Sequence, residues 1–222
     1  MNREHADLTA SEVCDAIGLN YGMSRAQLWK VLKRGEAKPA QSPMLVHMLQ
    51  QGKELEHITF GEYAFQQPLT LARPNERDFG GIVYGVGEML DNKSYQITAR
   101  PDGFAASGMI TVELKTVING QVPDKPKPAH LAQCVTQLFC CKPAVEGHLF
   151  YFKPSTGEWR LFVLHWNPGA WEKYLVTWIL EFLQAEDAPP PRMPNGEAER
   201  RSAILLEAFW HEPRNPSSDG PH

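Results

Sequence analysis

Cysteine is scarce in this chain, with four in 222 residues, and no two of them form a C-x-x-C pair. Cys140 and Cys141 are adjacent and Cys14 stands far away, so neither a disulfide framework nor an iron–sulfur cluster is expected. Free thiols make a reducing cytoplasm, of a viral or phage host or of a bacterium, the expected compartment. No apolar run approaches the roughly 20 residues that cross a bilayer, and Met1-Asn2-Arg3-Glu4-His5 has no apolar signal region. Positive charge is also missing in bulk: 22 Lys and Arg against 26 Asp and Glu leave a net charge of −4. A global nucleic-acid signature is therefore absent, although a cleft needs only local positive potential. Strips at Lys30, Lys33, Arg34 and Lys38, and at Lys125 and Lys127, can supply it. Gly85-x-Gly87 lacks the later glycine and the strand–helix setting of a dinucleotide loop.

What is present suits one α/β domain, since 222 residues can bury a full core. Short helices are expected at 10–17 and 24–34, and a longer one at 43–63. Strand-like segments follow near 68–72, 79–86, 95–100 and 109–116. A helix at 130–141, a hairpin of 147–153 with 158–165, and a helix at 169–185 complete residues 1–188, the expected main domain. Pro189-Pro190-Pro191 and Pro194 then read as a semi-rigid linker. It leads to an amphipathic helix at 196–211, expected to dock on its own body, and to a tail expected to be disordered.

The chemistry concentrates in Arg100-Pro101-Asp102-Gly103 and Val112-Glu113-Leu114-Lys115. Tyr95–Arg100 and Met109–Thr116 are rich in β-branched residues and are expected to form a twisted hairpin. Side chains alternate along a strand, so Glu113 and Lys115 share one face while Val112 and Leu114 point to the core. Asp102 falls where the first strand ends. Two carboxylates and an ammonium then converge at one sheet edge. Carboxylates held together repel without a cation, and Mg²⁺ prefers hard oxygen ligands. A bound divalent ion lowers the pKa of its water and polarises a phosphoryl oxygen. Lys115 can orient or deprotonate that water, or hold phosphate as a point charge.

Upstream, Ser42-Pro43 is a helix start. An inward stripe of Leu45, Met48/Leu49, Gly52, Glu56 and Phe60 follows at three- and four-residue steps. An acid on an apolar stripe is costly unless paired or bound to metal, and Gly52 suggests close approach one turn before it. On the later helix, His130, Gln133 and Gln137 form a polar stripe opposite Leu131, Val135, Leu138 and Phe139. That stripe is expected to line a cleft.

Four segments, taken together, resemble the lambda-exonuclease/YqaJ branch of the PD-(D/E)xK nucleases. They are Leu8-Thr9-Ala10-Ser11-Glu12-Val13, Gly52-Lys53-Glu54-Leu55-Glu56, the pair Pro101-Asp102-Gly103 and Glu113-Leu114-Lys115, and Leu131-Ala132-Gln133. The resemblance spans roughly residues 8–141. It implies a restriction-endonuclease-like α/β fold, a central mixed sheet flanked by helices. It further implies that Asp102, Glu113 and the Leu114 carbonyl bind Mg²⁺, for which Mn²⁺ would substitute. Glu56 would serve that cluster, Lys115 would position water, and Gln133 would contact the cluster's water or the scissile phosphate. Relatives recognise a 5′-phosphate through an arginine and serines. Ser11 matches one such serine, and Arg3, Arg25 and Arg100 are the candidate arginines. Leu49 matches an apolar position that wedges the terminal base pair.

The implied activity is 5′-to-3′ digestion of linear double-stranded DNA, leaving 3′ overhangs for strand-annealing recombination. The implied partners are DNA ends, further copies in a trimer, and a single-strand-annealing protein. A structure-specific or restriction-type endonuclease of the same superfamily is the nearest alternative. A catalytically idle DNA-end-binding module is the other.

Overall fold

The computed structural model describes residues 8–19, 22–69, 71, 72, 82–86 and 95–211. Arg3 and the tail from Pro213 lie outside them. β1 (Leu8–Thr9) leads into α1 (Ala10–Ala16), then α2 (Arg25–Arg34), α3 (Pro43–Glu54) and α4 (Glu56–Gln66). Next come β2 (Leu71–Ala72), β3 (Ile82–Val86), β4 (Tyr95–Ala99), β5 (Gly103–Ala105) and β6 (Ile110–Thr116). α5 (Pro128–Cys140) connects β6 to β7 (Glu146–Lys153), which turns into β8 (Glu158–His165). A continuous helical run follows, made of α6 (Pro168–Ala170), a π-helical stretch (Trp171–Val176) and α7 (Thr177–Leu183). α8 (Glu197–Phe209) comes after the proline linker.

The described strands form two sheets, ordered β1-β4-β3 and β2-β5-β6-β7-β8. β6 and β7 are parallel, with Glu113 opposite Leu149, and α5 is their crossover. The other pairs of the larger sheet are antiparallel. The expected mixed sheet flanked by helices is therefore found. Alternation along β6 and β7 gives the larger sheet two different faces. Val112, Leu114, Phe150 and Phe152 pack on Tyr63 and Phe60 of α4. Leu149 and Tyr151 belong to the main core with Leu131, Ala132 and Val135 of α5.

Two expectations about the catalytic region are corrected. The segments at 95–100 and 109–116 do not pair: β4 joins β1 and β3, while β6 pairs with β5. Arg100-Pro101 separates the two sheets, because proline fixes φ and has no N–H for a ladder. The helix expected over 43–63 is broken at Leu55, and Glu56 opens α4 instead of lying within a stripe. α3 contributes no buried residue, and Met44, Leu45, Val46 and Leu49 are all exposed. A Cβ at Gly52 would meet nothing within 4 Å, so close approach is not the reason for that glycine. At the first turn of α4, Glu56 faces the positive end of the helix dipole, which gives a carboxylate a reason to be there.

α8 docks on its own body, as expected. Leu205 and Phe209 are buried in the main core, and Trp210 bridges to Leu164 at the β8 edge. Arg201 is buried beside it, pairing with Glu181 at 3.0 Å and Glu197 at 2.8 Å and donating to the Ile17 carbonyl. Its guanidinium lies over the Trp178 ring.

Candidate active site

The site forms where β5 stops and β6 continues. β5 pairs with β6 only through Val112, and beyond that point Asp102 takes the place of a strand. The Asp102 N–H donates to the Val112 carbonyl at 2.9 Å. Its Oδ2 accepts the Leu114 N–H at 2.7 Å. A strand residue's N–H and C=O point to the same edge, so the Leu114 carbonyl lies along the edge that Asp102 occupies.

Glu113 and Lys115 project together from the other face of β6, toward α5. Glu113 is buried, 3% exposed, and three groups hold its carboxylate. Lys115 Nζ donates to Oε1 at 2.5 Å, and Gln133 Nε2 donates to the same oxygen at 2.7 Å. Gln137 Nε2 donates to Oε2 at 2.6 Å. Lys115 also donates to Gln133 Oε1 at 3.1 Å, which closes a ring of three side chains. Charge-assisted bonds of this kind are what make a buried carboxylate tolerable.

The electrostatics are those of crowded acids. Burial pushes the Asp102 carboxyl up to about 7, and the neighbouring Glu113 charge adds to it. The Leu114 N–H and the Lys115 ammonium oppose the rise, and the charge of Glu56 reinforces it. Burial pulls Lys115 downward, but Glu113 and then Asp102 outweigh it and hold the ammonium above its ordinary value. Lys115 is therefore a donor and a cation in this geometry. His130 is not part of the cleft: it is buried, its Nδ1 lies 2.6 Å from the Tyr151 hydroxyl, and burial with Lys115 and Lys127 nearby lowers it to about 2.

The donor set fits a hard divalent cation. Two carboxylates lie close enough beside the Leu114 carbonyl edge for the Glu113 charge to add to the rise that burial causes at Asp102. Among the described residues, however, no three His, Cys, Asp or Glu side chains gather as a ready cluster. Glu113 is drawn toward α5, and Glu56 acts on Asp102 through its charge.

A cavity of about 210 Å³ adjoins the site, lined by Thr9, Ala10, Ser11, Thr98, Ala99, Arg100, Gln133 and Gln137. Ser11 and Arg100, one of the three candidate arginines, are thus brought to one cavity beside Gln133. Ser11 is not the cap of its helix. Thr9 is, with its N–H bonded to Glu12, and the Ser11 hydroxyl lies 3.1 Å from that of Thr9. Arg25 is elsewhere. It donates to the Ala16 carbonyl and to Glu181, and it lines a separate cavity of about 470 Å³ under the proline linker. Leu49 is exposed on α3.

Two contacts carry weight that the sequence did not reveal. The Thr59 and Thr116 hydroxyls lie 2.7 Å apart, and the Tyr63 hydroxyl lies 2.7 Å from His148 Nδ1, so α4 is pinned to the sheet twice. The i, i+3, i+7 spacing of Glu56, Thr59 and Tyr63 was the signal available.

No family model matches this sequence, and no curated protein matches it either. Solved structures do. An alkaline exonuclease (LHK-Exo) from Laribacter hongkongensis shares 18% identity over 90% of this chain and 91% of its own, with a TM-score of 0.51. A phage-related exonuclease from Haemophilus somnus 129PT shares 11% identity over 91% of this chain and 96% of its own, with a TM-score of 0.54. The chain has the fold of these exonucleases. The resemblance carried by four short motifs therefore extends to the architecture of nearly the whole chain.

Proposed function

We propose that this chain is a Mg²⁺-dependent deoxyribonuclease that digests linear double-stranded DNA from its 5′ ends. One observation carries the reading: Asp102 caps the open edge of β6 at Leu114 while Glu113 and Lys115 leave the next face of the same strand. Supporting it, LHK-Exo has also been crystallised in complex with dAMP, a mononucleotide of the kind exonucleolytic digestion releases. Ser11 and Arg100 are among the residues that line the cavity beside Gln133, residue types suited to a phosphate.

Asp102, Glu113 and the Leu114 carbonyl would hold the cation, with Glu56 adding negative charge from the start of α4. When bound, that ion supplies a water of lowered pKa and positive charge at the phosphoryl oxygen. Lys115, kept protonated by its carboxylate neighbours, donates to the attacking water or to a non-bridging oxygen. Gln133 fixes the Lys115 ammonium and the Glu113 carboxylate relative to each other. Ser11 and Arg100 bind the terminal phosphate and set the register of the scissile bond. The 3′ overhangs left behind would feed strand annealing, and copies of the chain would assemble around the duplex.

The test is the shape of the substrate. Linear duplex should be degraded in Mg²⁺ and spared with chelator, while covalently closed circles survive. Cutting of the closed circle would move the chain to the endonucleases. Binding of ends without turnover would make it an idle module.

A further inference from the structure

Gln137 is a fully buried amide whose carbonyl side is left unused. Its Nε2 donates to Glu113 Oε2 at 2.6 Å, whereas its Oε1 is buried with no partner among the described residues. An orphaned buried carbonyl carries a desolvation cost, so packing alone would favour leucine or methionine at this position. The amide cannot turn over to relieve it, because its oxygen would then face the Glu113 carboxylate. A residue kept against packing preference, with one polar contact, points to that contact as its purpose.

The acceptor count on Glu113 shows what the contact does. Its two oxygens offer about four lone-pair positions. Lys115 and Gln133 take both positions on Oε1, and Gln137 takes one on Oε2. One position remains, on Oε2. We infer that Gln137 is a positioning residue: it fixes the Glu113 carboxylate so that a single Oε2 lone pair is presented to a divalent cation. Without it, Oε2 is free to rotate about the Oε1 contacts and the cation site loses its aim. Gln137 also borders the cavity beside Ser11 and Arg100, but its positioning role is exercised on Glu113. It acts through Glu113 alone, and the inference rests on the metal-site reading above.

The test uses the full chain, wild type beside Gln137→Leu and Gln137→Met. Mn²⁺ binding is followed by calorimetry without DNA, and hydrolysis of linear duplex is followed over a range of Mg²⁺ concentrations. The expected result is Mn²⁺ affinity reduced about 10-fold, the loss of one hydrogen bond to a charged group. The Mg²⁺ needed for half-maximal rate should rise by a similar factor. Whatever the change in KM for DNA, kcat should return toward wild type at saturating Mg²⁺. Methionine, unbranched and close to glutamine in length, guards against a leucine variant that fails to fold. Unchanged Mn²⁺ affinity in a folded variant overturns the role given to Gln137. A wild-type chain that binds no Mn²⁺ and cleaves nothing overturns the metal-site reading itself, which is a separate and distinguishable failure.

Discussion

The hydroxyls of Thr59 and Thr116 lie 2.7 Å apart, joining the helix that starts at Glu56 to the residue that follows Lys115. Thr59 is fully buried. Thr59→Val keeps the shape and removes the bond, at a cost of about 1 kcal/mol in stability. Because Glu56 sits one turn away, a small shift of α4 also moves its charge. Turnover should fall roughly 10- to 100-fold, on the scale expected for displaced catalytic groups. Thr59→Ser should restore most of it. Equal activity in the valine variant would show that the contact holds only the fold.

Asp102 gives the site its pH dependence. Its folded value of about 7 lies above its ordinary value of 3.8. A raised carboxyl contributes stability that is complete below its unfolded value and is lost as pH rises through its folded one. The cation-free chain should therefore lose stability between about pH 4 and pH 7 on this group's account. Asp102→Asn, which still accepts from the Leu114 N–H, should flatten that slope in thermal melts at several pH values. Mn²⁺ binding to the wild type near pH 6.5 should release protons, visible as a buffer-dependent calorimetric enthalpy. Binding heats independent of the buffer would count against a protonated Asp102.

Ser11 and Arg100 meet at one cavity. If that cavity takes a terminal phosphate, a 5′-hydroxyl end should be degraded at least about tenfold more slowly than a 5′-phosphate end, the scale of one charged hydrogen bond. Ser11→Ala with Arg100→Ala should erase the difference. Equal wild-type rates on the two ends would remove the phosphate role.

α8 should be indispensable for folding. Leu205 is fully buried in the main core, so Leu205→Ala should cost about 2–5 kcal/mol in denaturant titrations. A chain stopped before Gly196 should lose its cooperative transition. A sharp unfolding transition in the shortened chain would show that the helix is an appendage.

Much of this was legible in the sequence, and the rest failed for identifiable reasons. The segments 147–153 and 158–165 around Ser155-Thr156-Gly157 gave β7 and β8 closely, although β7 is buried on both faces and only the latter half of β8 alternates. The Pro-Asp-Gly and Glu-Leu-Lys segments do come together at β6, even though the expected hairpin does not exist. Asp102 reaches β6 from the residue before β5, not from the end of a strand paired to β6. The apolar stripe of α3 misled, since periodicity reports a face without saying what covers it, and here Leu45 and Leu49 remain 42% and 53% exposed. Gln137 does border the cavity beside the site, but sequence could not show that its amide is buried on the Glu113 carboxylate. Arg25 looked available for phosphate, but its partner Glu181 is distant in the chain.

Everything depends on Lys115 acting with Asp102 and Glu113 as one hydrolytic centre. Single-turnover cleavage of 5′-labelled linear duplex in Mg²⁺, wild type against Lys115→Ala, with Mn²⁺ affinity measured in parallel, addresses this most directly. General acid–base and electrostatic roles are worth roughly 10²–10⁴ in rate. The expected result is release of the label by the wild type, less than about 1% of that rate in the variant, and Mn²⁺ affinity within a few-fold of wild type. Label release by Lys115→Ala at the wild-type rate would contradict the assignment.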